Sequence, residues 1–211
     1  MIETITQNHF GVNSYVLYDD TKECVLVDIC SQSADERKEV TDFIEGNGLK
    51  PKHILLTHPH VDHMCGASFI CKTYGMPLGM SIDAKDIFIN CEAQAYLMGF
   101  ETGNIRDIKI EGLLEGETIK FGKSEIRCLN TSGHCKGSLS FYNEKERYII
   151  TGDALFAQSI GRTDLPTGDL DELIGNIRKH VLSLPYDTVV YPGHGPSTTV
   201  GYEKDCNPFL Q

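Results

Sequence analysis

Three imidazoles and one carboxylate fall within six residues in the segment Thr57-His58-Pro59-His60-Val61-Asp62-His63. Neutral imidazole nitrogen and carboxylate oxygen are ligands for divalent metal ions. A single histidine has an ordinary reading as a surface or core side chain, and His9, His53 and His180 take that reading. His180 falls near a helix C-terminus, where a cation suits the dipole. Clustered imidazoles have no comparable stabilising role. Extended backbone has a period of two, so His58 and His60 face one side and can chelate one ion. Asp62 and His63, at the start of a helix expected to run to Tyr74, turn toward a second ion beside the first. Three further candidates follow strand-like runs: His134 in Thr131-Ser132-Gly133-His134, Asp153 after Ile149-Ile150-Thr151-Gly152, and His194 after Val189-Val190-Tyr191-Pro192-Gly193. Glycine precedes each and permits a sharp turn. The chemistry such a set points to is hydrolysis by water activated between two cations.

Strands and helices must bring these loops to one edge. Strand-like runs are Ser14–Leu17, Cys24–Asp28, His53–Thr57, Thr118–Phe121, Glu125–Leu129, Leu139–Tyr142, Tyr148–Thr151 and Thr188–Tyr191. Val25-Leu26-Val27 and Ile54-Leu55-Leu56 are continuously apolar, as in strands covered on both faces. Ser33-Ala34-Asp35-Glu36 is a capping box that opens a helix ended by Gly46 and Gly48. A second helix is expected from Asp169 to Leu182, with Leu170, Leu173, Ile174, Ile177 and Val181 on one face and Pro185 past its end. The stretch 81–103 reads as a helical excursion that could cover a cleft. Alternating strands and helices imply a layered α/β sandwich with helices outside.

The chain has 211 residues, 40% of them hydrophobic, and a formal charge of −11. The negative charge argues against nucleic acid and anionic membrane as partners. Met1–Thr6 has no basic region or apolar stretch of a secretion signal, so the expected location is the cytoplasm. The eight cysteines form no C-x-x-C pair and read as reduced, mostly buried thiols. Cys135 follows His134 and is left open.

These residues resemble the metallo-β-lactamase fold superfamily over essentially the whole chain, closest to its glyoxalase II-like hydrolases. The resemblance is carried by Thr57–His63, Thr131-Ser132-Gly133-His134-Cys135-Lys136-Gly137-Ser138, Thr151-Gly152-Asp153-Ala154-Leu155-Phe156, Gly161-Arg162-Thr163-Asp164, and Tyr191-Pro192-Gly193-His194-Gly195-Pro196 leading to Asn207-Pro208-Phe209. It implies an αββα sandwich of two mixed β-sheets with helices on the outer faces. It assigns His58, His60 and His134 to a first metal, and Asp62, His63 and His194 to a second. Asp153 bridges both with a water or hydroxide. The ions are zinc by default, with iron or manganese accepted. The chain departs from the family in reading Thr131-Ser132-Gly133-His134-Cys135 where Thr-Pro-Gly-His-Thr is common. It is expected to be a short form, one domain over 1–211 without the C-terminal helical domain with which larger glyoxalase II enzymes bind glutathione.

The implied activity is hydrolysis of a small-molecule thioester such as the glutathione-linked S-lactoylglutathione, with a metal-bridging hydroxide as nucleophile. Asp62 would add proton handling to its ligand role. Arg162 would touch substrate, or else brace its loop through Asp164. The alternative is a glutathione persulfide dioxygenase with a single Fe(II) on His58, His134 and Asp153, because Gly161–Asp164 also resembles those enzymes. A non-catalytic metal-binding or redox module is a third reading. A β-lactamase is not expected without a secretion signal.

Overall fold

In the computed structural model, which describes residues 1–211, two mixed sheets lie face to face between two layers of helix. The first sheet takes β1 (Ile2–Gln7), β2 (Val12–Tyr18), β3 (Glu23–Val27), β4 (Lys50–Leu55), β5 (Leu78–Ser81) and β6 (Ile110–Leu113) in that order. β1 to β3 pair antiparallel and β3 to β6 parallel. The second sheet contains β7 (Thr118–Phe121), β8 (Ser124–Asn130), β9 (Leu139–Asn143) and β10 (Tyr148–Gly152), all antiparallel. A small hairpin follows, β11 (Leu155–Phe156) with β12 (Ser159–Ile160). Next, β13 (Val189–Pro192) joins β10 in parallel and β14 (Thr198–Thr199) closes the edge.

The two-residue period of the strands sorts the apolar side chains. Val16, Leu26 and Ile54 pack outward, against α1 (Ala34–Gly46), α2 (Val61–Met64), α3 (Ala67–Tyr74) and α4 (Lys85–Ile89). Tyr15, Leu17, Val25, Val27 and Leu55 pack inward, against Phe121, Ile126, Cys128, Phe141 and Ile150 of the second sheet. The outer face of that sheet gives Ile149 and Val190 to α6 (Leu170–Asn176) and α7 (Val200–Cys206). The sandwich is therefore the αββα arrangement that the resemblance implies. No helix is long and apolar enough to cross a membrane.

The capping box at Ser33 is present: the Ser33 hydroxyl accepts from the Glu36 amide at 3.1 Å and the Glu36 carboxylate accepts from the Ser33 amide at 2.8 Å. The expected helix from Asp62 to Tyr74 is instead two, α2 and α3, broken at Cys65-Gly66. The break lies against the backbone after β3, where a Cβ on Gly66 would sit 2.5 Å from the Ile29 carbonyl oxygen. The helix expected over 169–182 starts as predicted, with the Asp169 side chain capping Glu172. After α6 it continues through Ile177–Val181 as a widened π-type turn. The 81–103 excursion is helical, holding α4 and α5 (Glu92–Met98).

Within each sheet the strands that precede the chemical motifs run the same way: β3 with β4, and β8 and β10 with β13. Their C-terminal ends share one rim of the sandwich.

Candidate metal centre

Five strand ends build the centre. The loop after β4 carries His58, His60, Asp62 and His63; β8, β10 and β13 lead to His134, Asp153 and His194; β3 leads to Asp28. The structure brings together all seven residues singled out in the sequence. The donor atoms of His58, His60 and His134 lie within 4.8 Å of one another. The same holds for Asp62, His63 and His194, and for His58, His63 and Asp153. Asp153 Oδ1 is 3.2 Å from His63 Nε2, and its Oδ2 is 3.6 Å from His134 Nε2 and 3.5 Å from His194 Nε2. Asp62 Oδ2 is 3.4 Å from His194 Nε2.

Hydrogen bonds around the rim decide which ring nitrogen is free. His134 Nδ1 donates to the Arg162 carbonyl at 2.7 Å and His194 Nδ1 to the Phe10 carbonyl at 3.1 Å, because a carbonyl can only accept. His63 Nδ1 donates to Asp28 Oδ2 at 3.0 Å. The Thr57 hydroxyl gives its one proton to Asp28 Oδ2 at 2.6 Å and so accepts from His58 Nδ1 at 3.0 Å. In its neutral form each of these four rings therefore keeps its proton outward and turns its Nε2 lone pair inward, and such outward hydrogen bonds fix the orientation of a metal-ligating imidazole. His60 presents Nδ1 instead, 2.8 Å from His134 Nε2. The buried Nε2 atom of His58 has no hydrogen-bond partner, and that of His63 faces only the carboxylates of Asp153 and Asp62, at 3.2 and 3.8 Å. Buried polar atoms are rarely left so.

Charge follows the same plan. Burial pulls His58 and His60 below the usual imidazole range, His60 to about 4, and neighbouring rings push the same way. Burial also acts against His63 and His194, but Asp153 and Asp62 prevail, holding His63 well above its usual value and His194 at about 9. Against the upward push of burial, His63 keeps both carboxyls ionised below the usual range. The two carboxylates draw positive charge into the middle of the cluster. Nitrogen and oxygen donors with fixed tautomers and two anions fit divalent cations, and lacking thiolate they do not choose among zinc, iron and manganese.

Gly193 is the tightest point of the wall. A Cβ there would stand 2.1 Å from Asp153 Oδ1 and 2.7 Å from His63 Cε1. His63 is held by Asp28, and the Gly193 backbone is itself bonded to Gly152 and Asn13, so neither can retreat. Gly193→Ala is expected to cost about 1–3 kcal/mol in overpacking and to reduce bound metal at least tenfold. Thermal melting and elemental analysis check this; native metal content in the variant would remove the steric reading.

Arg162 forms a two-pronged ion pair with Asp164, at 2.7 Å on each prong, while its carbonyl positions His134. The pair is the one the bracing reading names, and both of its side chains are exposed. Cys135 is buried and burial pushes its thiol up to about 11, so it stays protonated. His9 stacks on Phe100, His53 reaches the Lys120 carbonyl, and His180 pairs with Glu115. The excursion reaches the rim of the centre: Phe100 also packs on Phe10, whose carbonyl holds His194.

Asp28, Asn13 and Tyr15 were not singled out in the sequence. Asp28 has a signal like that of Asp153, a carboxylate just after an apolar strand. Asn13 Nδ2 donates to the Pro192 and Gly195 carbonyls at 3.1 and 2.9 Å, and the Tyr15 hydroxyl to Pro192 at 2.6 Å, shaping the His194 turn. Nothing local marks those two.

Residues 8–194 match the Metallo-beta-lactamase superfamily. The chain belongs to this family. Among relatives of the superfamily member, Hydroxyacylglutathione hydrolase GloC of Haemophilus influenzae is 33% identical over 217 residues, covering 99% of this chain and 97% of that protein. The crystal structure of BLEG-1 B3 metallo-beta-lactamase matches at a TM-score of 0.89 with 34% identity, covering 100% of both chains. TTHA1623 in a di-iron-bound form matches at 0.88 with 30% identity, over 99% of this chain and 100% of that one.

Proposed function

We propose that this superfamily member is a dinuclear metallohydrolase that cleaves thioesters. One observation carries the reading: two complete ligand triads stand side by side, and the Asp153 carboxylate reaches both. His58, His60 and His134 would hold one ion, Asp62, His63 and His194 the other, with Asp153 shared. When bound, a pair of divalent ions supplies a hydroxide nucleophile near neutral pH and Lewis acidity toward a carbonyl. The protein residues do the rest. The four outward-turned ring protons keep the donor atoms in place without reorganisation. Asp62, buried beside the partly exposed His194, would orient the attacking water and pass its proton toward the leaving thiolate. No serine or cysteine nucleophile is needed.

Similarity to GloC favours a thioester, and similarity to the di-iron-bound TTHA1623 favours two ions. The single-iron persulfide reading uses only His58, His134 and Asp153 and gives Asp62, His63 and His194 no ligand role. Protein purified without added metal, then loaded with zinc, iron or manganese, is expected to bind two ions per chain and to hydrolyse S-lactoylglutathione and simpler thioesters. Turnover of β-lactams alone, or oxygen uptake with glutathione persulfide at one iron per chain, would overturn the proposal.

A further inference from the structure

Beside His194 lies an open alcove of about 390 Å³ lined by Phe156, Ala157, Ser159, His194, Gly195 and Pro196. It shares His194 with the ligand set, whereas larger hollows along α3, lined by residues such as Arg37, Ser68 and Lys72, hold none of the seven. Apart from the imidazole, no lining side chain can carry a charge. The Phe156 ring stands edge-on to His194 with centroids 6.2 Å apart.

The alcove is built before any ligand arrives. Its far wall is the β11–β12 hairpin, pinned from α7: the Gln158 amide donates to Glu203 at 2.9 Å, and Asn207 Nδ2 to the Ser159 carbonyl at 3.1 Å. Glu203 and Asn207 are fully buried. Its near wall, Gly195-Pro196, is held by Asn13. Preformed apolar concavities beside a few polar groups are how small-molecule sites select their ligands. The guanidinium closest in sequence, Arg162, lies outside the alcove lining and pairs with Asp164.

We propose that this alcove receives an apolar arm of the substrate, so that the preferred thioesters carry an aliphatic or aromatic group there and not a charged one. The inference rests on the thioester reading above and narrows it. With the carbonyl at the ligand cluster, an arm directed past His194 would cross Phe156, Ala157 and Pro196. Either the acyl chain or the thiol could be that arm, and the shared chemistry is its apolarity.

Two substrate series test the inference on the metal-loaded protein. One lengthens the acyl group from acetyl to hexanoyl and benzoyl on glutathione. The other lengthens the thiol from ethyl to hexyl on an acetyl group. In one series kcat/KM is expected to rise about two- to fourfold per methylene, which identifies the arm. Ala157→Asp should flatten that slope. Flat slopes in both series, or a slope that Ala157→Asp leaves unchanged, would overturn the alcove's role while leaving thioester hydrolysis standing. No hydrolysis of any member would take both down.

Discussion

Asp153→Asn is expected to lower kcat/KM for thioester hydrolysis by on the order of 10³ or more, and to leave at most one metal ion per chain. Removing one preorganised electrostatic group from a catalytic centre commonly costs about 10²–10³, and disturbing an outer partner of a ligand about 10–100-fold. Asp153 should exceed both. It faces His63 through one oxygen and His134 and His194 through the other. An asparagine keeps the shape but turns an amide N–H₂ toward imidazole lone pairs or cations, and removes one of two negative charges that the cluster gathers around. The substitution also leaves buried His63 with Asp28 and Asp62 as its remaining anions. Breaking a buried pair costs about 3–5 kcal/mol, and the surviving partners put the metal-free chain at the lower end. Kinetics, elemental analysis and melting with and without chelator separate these effects. A variant within tenfold of native activity, still carrying two ions, would refute the shared-ligand role.

What was legible beforehand divides along physical lines. Val25-Leu26-Val27 and Ile54-Leu55-Leu56 announced buried strands, because covering both faces requires unbroken apolar sequence. His58, His60, Asp62 and His63 were legible because dense imidazoles have no rival explanation, and His134, Asp153 and His194 because each follows an apolar run and a glycine in a stretch resembling the family. β1 was missed: Thr4 and Thr6 are exposed on this edge strand and the opposite face sets polar Glu3 and Gln7 beside Ile5, so its alternation is weak. β5 and β6 were missed for another reason. Leu78-Gly79-Met80 and Ile110-Glu111-Gly112 contain glycines whose need is tertiary. A Cβ on Gly79 would meet Leu55 at 2.8 Å, a contact set by the neighbouring strand. The break between α2 and α3 is of the same kind, since Gly66 answers to the backbone of Ile29 and Ser31, far away in sequence. Asp28 is the instructive omission. One aspartate after a strand looks like a turn residue until the structure shows what it touches.

Asp28→Asn tests that omission, and its expected effect is a 10–100-fold loss of metal affinity with a lowered melting temperature. Asp28 is buried and takes up a left-handed backbone, φ 51°. Asparagine tolerates that conformation, so the substitution leaves the backbone in place and changes hydrogen bonding and charge at this one side chain. At present Oδ1 accepts from the Thr57 amide at 2.7 Å, and Oδ2 accepts from the Thr57 hydroxyl at 2.6 Å and from His63 Nδ1 at 3.0 Å. An asparagine oxygen would stay with the Thr57 amide, which puts its N–H₂ where Oδ2 was. His63 Nδ1 must then accept, and its proton moves to Nε2, the atom aimed at the metal. The Thr57 hydroxyl loses its acceptor in the same step, and with it the order imposed on His58. Such a reversal acts on binding and not on the reaction itself. Activity should therefore recover substantially at high metal concentration, which a purely structural defect would not allow. Native-like metal affinity in Asp28→Asn, or a loss of activity that added metal leaves untouched, would show that the outward-turned ring protons are not what holds this centre in register.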